Sequence, residues 1–194
     1  MPRLVLATRN PHKAEEFDEL LRPWTVVPLP DNVDLPPETG TTFAENALGK
    51  ARAAAAGTGR TSFGDDSGIV ADALDGAPGV RSARFAGEDA THGENLALFL
   101  ERVPVGSALA YVCAIAYVDP ATRTEHVVEG RCTGTMAAEP RGDGGFGYDP
   151  VFLPDDADVA RGRTMAELTP AEKASISHRG IAARALLELL RGQA

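Results

Sequence analysis

Two strand-like runs decide the fold, and the first of them reads ALAYVCAIAYV over residues 108–118. The second extends from Glu125 to Thr135, and Asp119-Pro120-Ala121-Thr122 between the two runs is a turn signal. Two long strands joined by so short a connection pair with each other in opposite directions. The sequence therefore predicts an antiparallel hairpin in the second half of the chain.

Helix-start signals occur on both sides of this hairpin. Asn10 is a capping residue, and Pro11 follows it at the position where proline fits the first turn of a helix. Two capping boxes, Thr42 to Glu45 and Thr91 to Glu94, each precede a helical run. The predicted helices cover residues 11–21, 42–56, 91–102, a short segment that begins at 169, and 179–191.

Short apolar runs predict further strands at residues 4–7, 26–29, 62–65 and 151–153. After the third of these, Asp66-Ser67-Gly68 is predicted to turn away, and Asp75 to Gly87 is too rich in glycine and proline for a regular element. Strands and helices follow one another without the strict alternation of an all-parallel sheet. We therefore predict an α/β fold with a mixed central sheet flanked by helices.

The composition is that of a globular protein, with 43% apolar and 24% charged residues in a chain of 194. A net charge of −9 disfavours binding to nucleic acid or to an anionic membrane surface, although a local cluster of cations could still hold a small phosphate ligand. Cys113 and Cys132 have the spacing of neither a zinc site nor a disulfide framework. No uncharged run approaches the length of a membrane span, so we expect a cytoplasmic protein.

Two motif matches fail in their context. Residues 142–147 satisfy GxGxxG, but Pro140 precedes them and Pro150 prevents the helix that a dinucleotide-binding fold requires. Gly49-Lys50 resembles the end of a phosphate-binding P-loop, but it lies within a predicted helix and Ala51 replaces the serine or threonine. We therefore set both nucleotide-binding folds aside.

The segment Thr8-Arg9-Asn10-Pro11-His12-Lys13 joins the first strand to the first helix. Unpaired N–H groups and the positive end of the helix dipole favour an anion there, and Lys13 adds a full charge. The same residues are equally well explained by a helix cap at Asn10 and a solvated Lys13.

Three carboxylates suggest a cation site. Asp65 and Asp66 are adjacent, and two neighbouring carboxylates repel unless a cation or a proton lies between them. Magnesium takes one or two protein carboxylates together with phosphate oxygens and water, which suits Asp66 with Glu45. The capping box alone would also explain Glu45, and an acidic turn would explain the aspartates.

The late part of the chain offers groups that suit a flat base. Gly145-Phe146-Gly147-Tyr148-Asp149 combines glycines with two aromatic rings, while Lys173 and Ser177-His178-Arg179 add cations and donors. A tight loop with core aromatics, and a helix cap with a solvent-facing surface, would account for the same residues.

Taken together and in order, these segments resemble the inosine triphosphate pyrophosphatase family, also described as Ham1-like proteins. Several ordered motifs over nearly the whole chain are more specific than any single one. They are Thr8-x-Asn10-x-x-Lys13, Thr42-Phe43-x-Glu45-Asn46-Ala47, Asp65-Asp66-Ser67-Gly68, Gly76-Ala77-Pro78-Gly79, Ser82-Ala83-Arg84-Phe85, Gly87-Glu88-Asp89-Ala90, Gly144-Gly145-Phe146-Gly147-Tyr148-Asp149-Pro150, Ala166-Glu167-Leu168 with Lys173, and Ser177-His178-Arg179-Gly180. Arg9 and Pro11-His12 depart from the small residues often seen in the family's phosphate loop.

The resemblance implies a single domain over residues 1–194 with two lobes and a cleft between them, acting as a homodimer. It implies hydrolysis of non-canonical purine nucleoside triphosphates (ITP, dITP, XTP) to the monophosphate and pyrophosphate. Magnesium would be held by Glu45 and Asp66, and Asp66 would accept the proton of the attacking water. The phosphates would be bound by Thr8, Arg9, Asn10, Pro11, His12, Lys13 and Ser67, and the rest of the nucleotide by Phe146, Gly147, Tyr148, Asp149, Lys173, His178 and Arg179.

Two alternatives stay open. A non-catalytic nucleotide-binding module would need no carboxylates, so Glu45, Asp65 and Asp66 count against it. A pyrophosphatase for modified pyrimidine or methylated nucleotides, as in Maf-like proteins, is disfavoured by His178-Arg179 through the resemblance alone.

Overall fold

A six-stranded sheet runs through residues 3–192, the part of the chain that the computed structural model describes. The strands lie side by side in the order β2-β1-β3-β4-β5-β6. Their bounds are β1 (Arg3–Leu6), β2 (Thr25–Pro28), β3 (Ser62–Ala71), β4 (Ala108–Asp119), β5 (Thr124–Met136) and β6 (Phe152–Pro154). Because β1 pairs in parallel with β2 and β3 while β5 pairs antiparallel with β6, the predicted mixed sheet is confirmed.

Helices flank this sheet, and the capping residues that predicted the first three are in place. Asn10 caps α1, and both capping boxes form at the starts of α2 and α3. The helices are α1 (Pro11–Leu20), α2 (Phe43–Thr58), α3 (His92–Arg102), α4 (Ala157–Ala160), α5 (Pro170–Ile176) and α6 (His178–Arg191). None of the helices within residues 3–192 has the length and apolar character needed to cross a membrane.

The described residues form two compact units. The first contains the chain through Asp66, residues Cys113–Gly130 and the chain from Ala182 onward. The second contains residues Ser67–Val112 and Arg131–Ile181. The single two-lobed domain and its cleft stay a prediction.

In the first unit, helices cover both faces of the sheet, as the alternation of side chains on β4 shows. Cys113, Ile115 and Tyr117 pack into a cluster with Phe17 of α1 and with the apolar residues of α6. Ala114, Ala116 and Val118 point the other way and pack against Ala47, Ala51 and Ala55 of α2. Each fully buried large apolar side chain contributes about 1.5–3 kcal/mol to these layers.

The second unit has one apolar core. It joins β3, α3, β4, β5 and β6, and the largest of its fully buried side chains are Ile69, Phe99, Met136, Phe152 and Met165. The fold therefore gives each unit a rigid base on which polar side chains can be held.

The structure corrects two predictions. The predicted turn at Asp66-Ser67-Gly68 is wrong, because β3 continues through these residues to Ala71. Ile69 and Ala71 are fully buried in the second core, and this packing stabilises the continued strand. The loop from Asp75 to Gly87 is not wholly irregular, since Gly79–Arg84 forms a 3-10 helix.

Close packing of β3 on α2 predicts the effect of one substitution. A Cβ at Gly64 would lie 2.7 Å from the carbonyl oxygen of Ala47 and 3.0 Å from the nitrogen of Ala51. We expect Gly64→Ala to lower the free energy of unfolding by roughly 1–3 kcal/mol, because backbone atoms must move apart. Urea unfolding followed by circular dichroism measures this change.

The matched control is Gly93→Ala in α3, where the nearest atom to a new Cβ is 3.9 Å away. This variant should keep its stability or gain up to about 1 kcal/mol from helix propensity. Equal stabilities for Gly64→Ala and the wild type would contradict the packing of β3 on α2.

Candidate active site

The connection between β1 and α1 forms a capped helix start. The Asn10 side chain accepts hydrogen bonds from the backbone nitrogens of His12 at 3.0 Å and Lys13 at 3.4 Å. Pro11 occupies the first turn, and the backbone nitrogen of Asn10 donates to the Thr8 hydroxyl at 3.2 Å. The cap interpretation of Asn10 is therefore confirmed, and the segment presents the N-terminal end of α1.

The side chain of Arg9 is engaged elsewhere in the first unit. Its guanidinium donates to the carbonyl oxygens of Leu29, Pro30 and Val33 at 2.8–2.9 Å. These bonds hold the loop that follows β2. A phosphate role for Arg9 stays a prediction, and a structural role for it is visible.

Lys13 is an internal ion-pair partner and not a solvated lysine. Its ammonium lies 2.7 Å from the Asp65 carboxylate, which is 1% exposed. Asp65 shares a strand face with Phe63, which packs edge-on against Phe17 of α1 with ring centroids 5.4 Å apart. The pair therefore ties α1 to β3, and the solvated alternative for Lys13 is wrong.

Asp66 faces the opposite side of β3, toward α2. Its carboxylate accepts a 2.9 Å hydrogen bond from the Asn46 amide and lies 3.9 Å from the ammonium of Lys50. Burial raises the pKa of Asp66 above its ordinary value, against the opposing effects of Lys50 and Asn46. A carboxylate with a raised pKa is a stronger base than an exposed one.

Lys50 is a buried cation that links two carboxylates. Its ammonium lies 2.6 Å from Glu38 and on its other side approaches Asp66. Burial alone would lower the pKa of Lys50, but the charges of Asp65, Asp66 and Glu38 outweigh burial and raise it. Lys50 therefore stays protonated near neutral pH.

Sequence reasoning missed three members of this cluster. Asn46 and Lys50 are four residues apart on α2 and so share a helix face, a signal that was available in the sequence. Glu38 lies in the loop before α2, where no pattern distinguishes it from its neighbours. The backbone nitrogen of Gly40 donates to the Asn46 oxygen, which leaves the amide nitrogen of Asn46 to point at Asp66.

Glu45 is held by the capping box. Its Oε2 accepts hydrogen bonds from the Thr41 nitrogen at 2.7 Å, the Thr41 hydroxyl at 3.0 Å and the Thr42 nitrogen at 3.2 Å. These bonds, led by the Thr41 backbone bond, lower the pKa of this exposed carboxyl. The cap interpretation is confirmed, and the metal role of Glu45 stays a prediction.

The donor set of the first unit fits a hard divalent cation. Among residues 3–192, no three His, Cys, Asp or Glu side chains are grouped so that they could hold a metal ion. Magnesium does not need such a group, because one or two carboxylates with phosphate oxygens and water complete its shell. Asp66 is the candidate for one carboxylate, and Glu45 and Glu38 are the candidates for the second.

In the second unit, Phe146 presents a ring that is 37% exposed to solvent. The ammonium of Lys173 lies 5.3 Å from its centroid, and the guanidinium carbon of Arg179 lies 5.2 Å from it. An accessible ring can stack on a base, and the cations beside it can donate hydrogen bonds to that base.

The neighbouring aromatic residue has a different role. Tyr148 is 5% exposed, its hydroxyl donates to the Ser82 carbonyl oxygen at 2.8 Å, and its ring packs on Phe99. Burial raises the pKa of Tyr148. The core-aromatic interpretation is therefore confirmed for Tyr148, whereas the half-exposed Phe146 is available to a ligand. Gly147, between them, has a φ of +64°, which favours glycine.

Three predicted residues lie where α5 ends and α6 begins. The Ser177 hydroxyl accepts a 3.1 Å hydrogen bond from the Gly180 nitrogen, as a helix cap does. Arg179 donates to the Ser67 hydroxyl at 2.9 Å. His178 is 4% exposed and stacks on Tyr111. The solvent-facing alternative is therefore wrong for His178 and Arg179, both of which are buried.

The chain is similar to proteins of known family along nearly all of its length. The model of the Ham1 family matches residues 4–189. A dITP/XTP pyrophosphatase from Frankia alni is 50% identical over 202 residues, covering 97% of this chain and 97% of that protein. One from Geobacillus kaustophilus is 49% identical over 198 residues, covering 97% of this chain and 93% of that protein.

Solved structures agree with this assignment. The structure of a Ham1 protein from Coxiella burnetii superposes with a TM-score of 0.88 at 40% identity, and covers 99% of this chain and all of that one. Both the sequence and the fold are thus shared with these proteins, and the chain belongs to the Ham1 family.

Proposed function

We propose that this chain hydrolyses deaminated purine nucleoside triphosphates, ITP, dITP and XTP, to the monophosphate and pyrophosphate, and so clears them from the nucleotide pool. The relatives described above that carry the name dITP/XTP pyrophosphatase support this activity. The structural observation that supports it most directly is the pair of buried aspartates on β3, which meet Lys13 of α1 and Lys50 of α2 beside the capped start of α1.

Residues at the start of α1 and in the middle of β3 would act on the phosphates. The N-terminal end of α1, from Thr8 to Lys13, offers backbone donors and a positive dipole to phosphate oxygens. Ser67 follows Asp66 on the same strand and offers a hydroxyl. Lys13 and Lys50 would offset the negative charge that a triphosphate brings to the aspartates.

Asp66 would be the catalytic base. Its carboxylate would accept a proton from the water that attacks the α-phosphorus, and its raised pKa suits that task. We assign the metal to Asp66 with either Glu45 or Glu38. Magnesium, when bound, supplies charge neutralisation on the phosphates and makes the water more acidic.

Residues of the second unit would bind the base. Phe146 would stack on it, and His178 and Arg179 would donate to the 6-oxo group of inosine or xanthosine. Adenine presents a 6-amino donor at that position, and two facing donors leave buried polar groups unpaired. Guanine keeps the 6-oxo group, so its rejection must depend on its 2-amino group.

A homodimer, a cytoplasmic location and the absence of nucleic-acid or membrane partners complete the proposal. The homodimer rests on the family resemblance, the cytoplasmic location on the sequence pattern, and the absence of nucleic-acid or membrane partners on the net negative charge.

The base role of Asp66 is tested by Asp66→Asn, which keeps the shape of the side chain and an acceptor for Asn46. We expect kcat for ITP to fall by roughly 10²–10⁴-fold, because the amide cannot take the proton. Pyrophosphate release at saturating magnesium measures the rate. Asp18→Asn, at an exposed position on α1, is the control that should keep full activity. A wild-type rate for Asp66→Asn would remove Asp66 from the chemistry.

The second metal carboxylate is tested by Glu45→Gln and Glu38→Gln. Glutamine weakens a metal ligand but preserves a capping box. Glu45 is already bonded to the backbone at the start of α2, whereas Glu38 shares the Lys50 ammonium with Asp66. We therefore expect the magnesium concentration for half-maximal activity to rise more in Glu38→Gln, by roughly tenfold.

The control for this comparison is Glu94→Gln, which changes the same capping-box position at the start of α3. It should leave the magnesium requirement unchanged. If Glu45→Gln raises the requirement more than Glu38→Gln does, the metal role of Glu45 predicted from the sequence is supported instead.

Base selectivity is tested by Arg179→Ala. We expect kcat/KM for ITP to fall by roughly 10²-fold. The ratio of kcat/KM for ITP over ATP should also fall, whereas the ratio for ITP over GTP changes less. Because Arg179 also donates to Ser67, Ser67→Ala must be measured beside it, and a base-independent loss is expected there. Arg184→Ala, at an exposed position on the same helix, should change neither kcat/KM for ITP nor the ratio of kcat/KM for ITP over ATP. An unchanged ratio of ITP to ATP in Arg179→Ala would exclude Arg179 from base reading.

A further inference from the structure

Tyr111 of β4 contacts the proposed base site, although no motif singles it out. Its side chain is buried, and its hydroxyl donates a 3.0 Å hydrogen bond to Oδ1 of Asp149. Burial first, and then the negative charge of Asp149, raise the pKa of Tyr111 well above its ordinary value. The phenol therefore stays protonated and acts as a donor.

The hydrogen-bond partner of Tyr111 holds the loop that carries Phe146. Asp149 is 3% exposed, and its Oδ2 accepts bonds from the backbone nitrogen of Phe146 at 2.9 Å and from Lys173 at 2.6 Å. A Cβ at Gly145 would collide with the same carboxylate. Because both oxygens of Asp149 are bonded to protein donors, Asp149 positions Phe146 and Lys173.

The ring of Tyr111 has a second partner. It stacks on the imidazole of His178 with centroids 4.7 Å apart and an interplanar angle of 11°. Phe152 packs on the Tyr111 ring with centroids 4.7 Å apart. An aromatic ring held in the core in this way restricts the orientation of His178.

We infer that Tyr111 is a positioning residue for purine recognition, with separate tasks for its hydroxyl and its ring. The hydroxyl fixes Asp149, and through it the Phe146 loop that stacks on any base. The ring fixes His178, which distinguishes a 6-oxo group from a 6-amino group. This inference rests on the proposed function of the second unit.

Two substitutions separate the tasks. Tyr111→Phe removes the hydroxyl and keeps the ring, so KM should rise roughly tenfold for ITP and ATP alike, with kcat within about twofold of the wild type. Tyr111→Leu removes both groups, so the ratio of kcat/KM for ITP over ATP should also fall by roughly tenfold. Phenylalanine should thus restore the selectivity that leucine loses.

The matched control is Tyr117→Phe, six residues further along β4, where the tyrosine is buried and its hydroxyl bonds to Thr61 in the first unit. This variant should lose thermal stability without a change in KM or in the ratio of kcat/KM for ITP over ATP. Tm and the folded fraction are measured for all variants, so that loss of folded enzyme is separated from weaker binding.

The outcomes are distinct. A KM for Tyr111→Phe within twofold of wild type overturns the role of the hydroxyl, and equal ITP-to-ATP ratios for Tyr111→Leu and Tyr111→Phe overturn the role of the ring. Titration calorimetry with inosine monophosphate gives a second readout that needs no turnover. A wild type that binds inosine monophosphate but releases no pyrophosphate overturns the proposed activity, while the calorimetric affinities still decide the role of Tyr111. A wild type that neither binds it nor releases pyrophosphate from ITP overturns both.

Discussion

The neutralisation of two adjacent aspartates on β3 is the interaction on which the first unit depends. Asp65 and Asp66 point to opposite faces of the strand, and each meets a lysine from a different helix. An unpaired buried charge costs several kcal/mol, and removing one partner of a buried pair typically costs about 3–5 kcal/mol. The two pairs therefore fix α1 and α2 against the same strand, and they place two carboxylates where an ordinary core would hold apolar residues.

This arrangement makes the site and the fold interdependent. Gly64 lets α2 approach β3, and that approach brings Asn46 and Lys50 to Asp66. A side chain at residue 64 would move the helix and with it the groups that set the pKa of Asp66. The cost of holding charges in the interior is thus offset by packing that the rest of α2 provides, chiefly through its row of buried alanines.

The sequence predicted the helix starts, the long strands and the segments that form the candidate site, because caps, turn signals and ordered motifs are local features. It could not assign roles where the same local pattern recurs. The box that holds Glu45 at the start of α2 is repeated by Thr91 with Glu94 and by Thr169 with Glu172. Spacing alone does not distinguish them, and Glu38, which has no pattern, becomes visible only through its distance to Lys50. The continuation of β3 past Asp66 was missed for a related reason, since the burial of Ile69 and Ala71 depends on partners distant in sequence.

Phe146 and Tyr148 show how tertiary contacts give different roles to two aromatic residues of one motif. Both belong to the same short aromatic segment, but the Tyr148 hydroxyl finds the Ser82 carbonyl in the core while the Phe146 ring keeps a solvent-accessible face. Asp149 contributes to this difference, because its carboxylate accepts a hydrogen bond from the backbone nitrogen of Phe146 and so holds the loop in a tight turn. Because the buried Asp149 carboxylate is bonded to Tyr111, to Lys173 and to the backbone of Phe146, it holds the Phe146 ring in a fixed position. Since a preorganised site loses less entropy on binding, selectivity for a base that differs by a single exocyclic group can then depend on hydrogen-bond matching.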